Sequence, residues 1–181
     1  MPRVPVHTVE DAPEASRDNL KKLEEKFGQV LNIHGEMAHA PAVLDLYASA
    51  SAAIAEHTSL DPATRDAIHL AAATVNACEY CQSAYTVGAK NRGLSEEQTV
   101  AIREGRVDWD DRLAALLAVV REVADHEGFV DDATWERALH AGWSEVELLD
   151  AFADTVRTIL TNYFNHFVGT ELDLPPAPGL G

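Results

Sequence analysis

Cysteine is scarce in this 181-residue chain, which has only Cys78 and Cys81, three positions apart. A secreted disulfide framework needs several pairs that close long loops, so this pattern excludes one. A bridge between the two residues would close a very short loop and add little stability. The pair therefore indicates redox chemistry rather than a structural crosslink.

Positive charge is also scarce, because 14 Lys and Arg stand against 30 Asp and Glu and give a formal charge of −16. Such a surface repels phosphate backbones and anionic membranes, so we expect neither nucleic acid nor membrane as a partner. The N-terminal residues have no apolar signal-peptide core, and the longest uncharged apolar run, Leu113 to Val120, is too short to span a bilayer. We expect a soluble, cytoplasmic protein.

Strand signals are missing too: no alternating apolar pattern of useful length occurs, and no Asn-Gly or Asp-Gly turn joins two such runs. The sequence predicts an all-α fold of six to eight helices in a single domain, long enough to bury a core without disulfides. We expect the core at about 41–168, an N-terminal extension at 1–40 and a mobile C-terminal tail at 174–181.

Helix starts and stops are well marked. Two capping boxes, Ser95 with Gln98 and Ser144 with Glu147, predict helix N-termini, and Asp61 before a proline predicts another. The segment 29–40 is apolar but irregular. The predicted helices cover 13–27, 41–57, 62–76, a segment that follows from the cysteine pair and reaches 91, 95–104, 110–127, 134–141 and 144–167.

Apolar stripes follow three of these helices. The first helix carries Leu20, Leu23 and Phe27 on one face. The helix at 110–127 carries the most regular stripe, and the last helix carries an aromatic one. Together with the Ala-rich helices, this is more apolar surface than one small bundle hides, so we expect a homo-oligomer. The two stripes are Leu113, Leu116, Leu117, Val120 and Val123, and Leu148, Phe152, Val156, Ile159, Tyr163 and Phe167.

The cysteine pair lies where one predicted helix ends and another begins. The free N–H groups and dipole of a helix N-terminus stabilise a thiolate, which is the reactive form of cysteine. Three-residue spacing also lets the second sulfur attack an oxidised first one, which gives a reversible disulfide. Two alternatives stay open: inert thiols packed in an Ala-rich core, or a zinc site that would need further ligands such as His69 or His166 at no standard spacing. We expect no cofactor and no metal.

The frame around the pair reads Asp66, eleven residues, Cys78-Glu79-Tyr80-Cys81, three residues, Tyr85. It resembles the alkyl hydroperoxide reductase D-like (AhpD-like) branch of the carboxymuconolactone decarboxylase family, whose motif is Glu, eleven residues, Cys-x-x-Cys, three residues, His. The segments 93–97 and 162–166 are similar to this family as well. The resemblance extends over most of the chain from about Pro41 onward.

The resemblance implies a compact, oligomeric multi-helix bundle of the AhpD-like type. It implies a dithiol that reduces hydroperoxides in antioxidant defence, or exchanges disulfides with a protein or lipoyl dithiol. In the family scheme Cys81 attacks the peroxide and Cys78 resolves the sulfenic acid, while the family's Glu and His relay protons. Those two positions are Asp66 and Tyr85 here.

Both relay positions therefore depart from the motif. Asp66 keeps a carboxylate with a shorter reach, whereas tyrosine titrates near ~10 and is a poor base at neutral pH. His69, three residues after Asp66 on the same helical face, is a partial replacement. Each residue also has a plain alternative: a first-turn helix acid for Asp66, a core aromatic for Tyr85 and a backbone-bonded helix residue for His69.

The sequence thus favours a dithiol peroxidase or disulfide oxidoreductase that uses Cys81 and Cys78. A helical oligomer that binds a partner or ligand, with the dithiol as a redox sensor, is the alternative. A lactone decarboxylase is a third possibility, against which the Cys-x-x-Cys pair argues.

Overall fold

The computed structural model describes residues 2–179, and within that range the chain forms nine helices and no strand. The all-α prediction is confirmed. The helices are α1 (Glu14–Phe27), α2 (Asn32–Met37), α3 (Pro41–His57), α4 (Pro62–Val75), α5 (Glu79–Asn91), α6 (Glu96–Arg103), α7 (Asp111–Asp125), α8 (Asp132–His140) and α9 (Glu145–Val168).

The predicted N-terminal signals act as expected. Both capping boxes form at α6 and α9, with the Ser side chain and the third-residue side chain each bonded to the other's backbone N–H. The Asp61 carboxylate accepts from two N–H groups of the first turn of α4, at 2.9 and 3.0 Å. These local bonds fix where the long helices begin.

The helix beyond the predicted six to eight is α2, in the segment that the sequence left irregular. No side chain next to it caps its N-terminus. The Asn32 N–H instead donates to a carboxylate oxygen of Asp173, 2.8 Å away and 141 positions later in the chain. Because its cap is long-range, α2 has no local sequence signal.

The centre of the molecule is α4, in which every residue from Asp66 to Ala73 is buried. It packs against α5, α6, α7 and α9. The regular stripe predicted for α7 is confirmed, since Leu116, Leu117, Val120 and Val123 are buried against α4 in one apolar core. A second cluster joins α1, α2 and α3 to the cysteines, so the N-terminal extension builds one wall of the thiol site.

Two predicted stripes are only partly buried. Leu20 and Leu23 of α1 are buried, but Phe27 is exposed at the end of the helix. On α9 the stripe begins in the core with Leu148, and Ile159 is half-buried. Its other members, Phe152, Val156, Tyr163 and Phe167, are exposed, whereas the buried face of the same helix is largely polar. The buried polar residues of α9 are Asp154, Thr155, Arg157, Thr158, Thr161, Asn162 and Asn165.

The C-terminal segment lies against the helices as far as it is described. Ala177 is buried, and its N–H donates to Ser83 Oγ at 3.0 Å. The mobility predicted for 174–181 stays a prediction, and residues 180 and 181 lie outside the described residues. None of the helices at positions 2–179 is both long and apolar enough to cross a bilayer.

Candidate active site

The turn between α4 and α5 sets the position of the two thiols. Ala77 has a left-handed backbone, with φ of 51°, and the next N–H, that of Cys78, donates back to Ala73 O at 2.9 Å. This bond pattern ends α4 and makes Cys78 the N-cap residue of α5. The Cys81 N–H in the first turn lies 3.4 Å from Cys78 Sγ. The two cysteines thus lie at the N-terminus of a helix, as predicted.

A side chain of α9 connects the two sulfurs. Asn165 Nδ2 lies 3.2 Å from Cys81 Sγ and 3.6 Å from Cys78 Sγ, and both thiols are free and buried. Thr161, one turn earlier, has its hydroxyl 3.8 Å from Cys81 Sγ. An amide N–H donor between two sulfurs favours the thiolate form of either one.

The negative charge of the pair resides on Cys78. Donation from the Cys81 thiol and N–H and from Asn165 outweighs the effect of burial and lowers the pKa of Cys78 to about 6. Burial, together with donation of its proton to Cys78, raises the pKa of Cys81 above its usual range. The lowered pKa of Cys78 and the raised pKa of Cys81 favour, at neutral pH, a Cys78 thiolate beside a Cys81 thiol.

A cavity of about 220 Å³ opens onto Cys81. One water needs only about 10–15 Å³ by this kind of measure, so the cavity has room for a small organic molecule. Its lining contains Cys81, Asp66, His69 and Tyr85, but not Cys78. Phe27, the exposed member of the apolar stripe of α1, also lines the cavity.

A buried charge network extends from this cavity. Asp154, with no exposed surface, accepts from His69 Nε2 at 2.8 Å and from Arg65 at 2.8 and 3.1 Å. Although burial alone would raise it, these bonds hold the pKa of Asp154 below its usual range. Among the described residues His69 Nδ1 has no hydrogen-bond partner. It lies 3.7 Å from Asp66 Oδ1, and Asp66 accepts from Arg92 at 2.6 Å. The His69 imidazole therefore lies between two carboxylates and is hydrogen-bonded to one of them, Asp154.

Tyr85 is half-buried, and its ring packs on the His69 ring with centroids 4.7 Å apart. Burial raises the pKa of Tyr85 to about 12, against the opposing effect of Arg157. The phenol therefore stays protonated at neutral pH, where it can donate a hydrogen bond but cannot act as a base.

The fold thus gathers Cys81, Asp66, His69 and Tyr85 around one cavity, with Cys78 directly behind Cys81. Their catalytic roles stay predictions. His166, which the sequence left open, is exposed on α9. Sequence reasoning missed the α9 side of the site: Asp154, Arg157, Thr161 and Asn165.

One feature of the sequence could have indicated the four missed residues of α9. They recur every three or four positions and so form a polar stripe along a predicted helix, opposite an apolar one. The sequence contained both stripes and did not show which of them faces inward.

Comparison with known proteins gives one family. The carboxymuconolactone decarboxylase family matches residues 41–122, which include Asp66, both cysteines and Tyr85. No curated protein matches the chain.

Solved structures share the fold. The alkylhydroperoxidase AhpD core of a peroxidase-related protein from Ralstonia eutropha JMP134 is 21% identical, with a TM-score of 0.85 over 95% of this chain and 92% of that one. A peroxidase-related protein from Silicibacter sp. TM1040 is 15% identical, with a TM-score of 0.81 over 94% and 91%.

The debrominase Bmp8 is 17% identical, with a TM-score of 0.80 over 94% of this chain and 91% of that one. A variant of Bmp8 in which a cysteine is replaced by alanine has been solved in complex with 2,3,4-tribromopyrrole.

Proposed function

We propose that this chain, whose residues 41–122 match the carboxymuconolactone decarboxylase family and whose fold is AhpD-like, is a cytoplasmic dithiol oxidoreductase that reduces hydroperoxides. The observation that carries the proposal is the sulfur pair itself. Asn165 bridges a thiolate and a thiol at a helix N-terminus, and the thiol, Cys81, lies on a cavity with room for a substrate. A protein or lipoyl dithiol is the proposed reductant.

The proposed reaction begins with a proton transfer within the pair. Cys78 takes the proton of Cys81, and the Cys81 thiolate attacks the outer oxygen of the hydroperoxide. The O–O bond breaks, the sulfur becomes a sulfenic acid, and the alkoxide leaves as an alcohol after protonation. Cys78 then attacks the oxidised sulfur, forms the disulfide and releases water, and an external dithiol reduces the disulfide.

In this scheme Cys78 does the work of the missing family histidine. Tyr85 holds its proton at neutral pH, whereas Cys78 is already a thiolate and accepts a hydrogen bond from Cys81. A base needs to lie within hydrogen-bond reach of the proton that it removes and to have a pKa near the working pH. Cys78 meets both conditions.

The decisive test is a stopped-flow reaction of the reduced protein with cumene hydroperoxide, with free thiols counted before and after. We expect two thiols lost per chain and one intramolecular disulfide by mass spectrometry. Cys81→Ser abolishes the oxidation. Cys78→Ser removes both the base and the resolving thiol, so it slows the oxidation and halts it at a sulfenic acid that dimedone traps. Glu79→Gln, an exposed change between the cysteines, is the matched control and keeps the rate.

Two outcomes count against this function. If both thiols remain alkylatable after peroxide treatment, the redox proposal is wrong. If the disulfide forms once but neither dihydrolipoamide nor a protein dithiol supports turnover, the chain is a redox sensor instead.

A second candidate is the reductive removal of halogen from a small aromatic compound. The likeness to Bmp8 concerns the fold alone, but the cavity at Cys81 is flanked by the rings of Phe27, Tyr47 and Tyr85, which suit a flat ligand. Oxidation of the dithiol to the disulfide supplies the two electrons and two protons that replace halogen by hydrogen and release the hydrogen halide. Halide release from 2,3,4-tribromopyrrole, matched to thiol loss, distinguishes this activity from peroxide reduction.

We also propose that the protein is a homo-oligomer joined through the exposed face of α9. The apolar side chains there recur at three- and four-residue steps over the 24-residue helix, the spacing by which two helices pack along a seam. A second copy would cover Phe152, Val156, Tyr163 and Phe167. Light scattering at micromolar concentration tests this: Phe152→Asp with Tyr163→Asp gives a monomer, and Asp108→Ala, away from that face, does not. A monomeric wild type contradicts the proposal.

A further inference from the structure

The cavity at Cys81 has a charge opposite to that of the protein. Four of the chain's 14 basic side chains line it, namely Lys26, Arg65, Arg92 and Arg157, but only one of its 30 acidic ones, Asp66. Asp154 lies behind the lining and neutralises one more charge. Two positive charges therefore remain in the cavity of a protein with a net charge of −16.

The cations are arranged from the rim to the floor. Lys26 and Arg92 are exposed, Arg65 is half-buried, and Arg157 is 8% exposed. A cleft with charge of one sign and low-dielectric walls concentrates the field and attracts ions of the opposite sign. The positive charge affects two side chains of the lining. Burial and the three arginines lower the pKa of Lys26. Burial and Lys26 lower the pKa of His34 to about 4.

Arg157 is the buried cation of the cavity, and its charge is only loosely paired. Arg65 already binds both oxygens of Asp154, and Arg157 Nε is 3.9 Å from that carboxylate. Arg157 Nη2 lies 2.8 Å from His69 Nε2, but this nitrogen is also 2.8 Å from Asp154. When Nε2 carries a hydrogen and donates it to Asp154, this nitrogen has no lone pair with which to accept from Arg157. The Tyr85 hydroxyl is a further partner but carries no charge at neutral pH, so a ligand carboxylate would give the guanidinium a charged acceptor.

Further unpaired polar atoms belong to the same lining. Within residues 2–179 three buried atoms of this lining have no hydrogen-bond partner, namely His34 Nδ1, His69 Nδ1 and Ser51 Oγ, and His34 is 2% exposed. Buried polar groups in proteins are almost always paired. Unpaired atoms from several helices around one cavity indicate that a polar ligand belongs there.

From these observations we infer that the cavity receives a small organic anion, with its carboxylate held by Arg157 and Arg92 and its reactive group at Cys81. The inference rests on the proposed function for the chemistry at Cys81 and adds the substrate class. Thr161, which touches Cys81, is one helical turn after Arg157, so anchor and sulfur are separated by about 5–6 Å along α9. That spacing suits a ligand of the size of a substituted benzoate.

The test compares two alkylating agents that differ in charge and are otherwise alike, iodoacetate and iodoacetamide. The protein used is Cys78→Ser, in which only Cys81 reacts. Both reagents react with the Cys81 thiolate, so the ratio of their rates does not depend on how much of Cys81 is ionised. We expect the iodoacetate to iodoacetamide ratio to exceed that of free cysteine by about tenfold, since the excess positive charge of the cavity attracts the anion. Arg157→Gln and Arg92→Gln each lower the ratio severalfold, and Arg106→Gln, an exposed arginine outside the cavity, leaves it unchanged.

A second measurement covers the case in which Arg157→Gln does not fold. Benzoate should slow the alkylation of Cys81 by iodoacetamide, whereas benzamide should not, and Arg92→Gln should weaken the protection. A ratio equal to that of free cysteine, or equal protection by benzoate and benzamide, overturns the inference. Neither readout requires turnover, so an anion-selective protein that fails to reduce peroxide would refute the proposed function alone.

Discussion

Two helices, α7 and α9, pack against the same central helix and do opposite things. α7 buries its apolar stripe and builds the core, whereas α9 buries its polar stripe and leaves its apolar one exposed. The price of burying Asp154, Arg157 and Asn165 is offset because the three residues bond to partners on α4 and α5. α7 thus serves the core alone, whereas α9 contributes to both the fold and the thiol site.

The largest expected effect comes from breaking the charge network of α9. Asp154→Asn removes the counter-charge of the buried Arg157 and of Arg65, and an unpaired buried charge costs about 3–5 kcal/mol. We expect the free energy of unfolding, measured by urea denaturation, to fall by that amount. A loss under 1 kcal/mol would mean that the network contributes little to the fold.

The matching change on α7 is Leu116→Ala, at a side chain with no exposed surface. A cavity of this kind costs about 2–5 kcal/mol of unfolding free energy. At a temperature where the variant is folded, peroxide-driven disulfide formation should keep its wild-type rate, because Leu116 does not line the thiol cavity. A slower reaction in fully folded protein would contradict the division of roles between the helices.

Asn165→Leu tests the chemistry of α9 without changing a charge. Removing a donor to a charged sulfur costs about 1.5–3 kcal/mol, so the pKa of Cys78 should rise by one to two units from about 6. The thiolate forms as pH rises through the pKa, so alkylation of Cys78 should reach half its maximal rate near pH 6 in the wild type and at higher pH in the variant. Asn162→Leu, three residues earlier on α9, is a comparison of equal size. An unchanged pH profile in Asn165→Leu would exclude the bridging role.

The smallest effect is expected at Tyr85. Its phenol stays protonated across the working range, so Tyr85→Phe should slow peroxide reduction by less than about tenfold and leave the shape of the pH profile unchanged. Tyr85→His places a group that titrates near neutral pH in the family's relay position and should raise the rate there. If Tyr85→His has no effect while His69→Ala flattens the profile, then His69 has taken over the relay.

Much of the site could be predicted because its signals are local. Cys78 and Cys81 share one turn of helix, and Asp66 and His69 share another, so their spacing alone brings each pair together. The partners from α9 were not predictable in the same way. Asp154 and Arg157 meet His69 across 85 and 88 positions of sequence, and Asn165 meets Cys81 across 84.

The sequence by itself determined the helical class, the starts of the long helices and the closely spaced cysteine pair, since caps, periodicity and a three-residue spacing act within a few residues of one another. Only the tertiary structure decided which stripe of α9 faces inward, because both stripes satisfy the same helical period. It also decided the cap of α2, which comes from the C-terminal segment. The assembly of four cations around Cys81, from α1, α4, the residue just after α5, and α9, was likewise decided by the tertiary structure. Each of these depends on contacts between distant segments, whose energies no local pattern encodes.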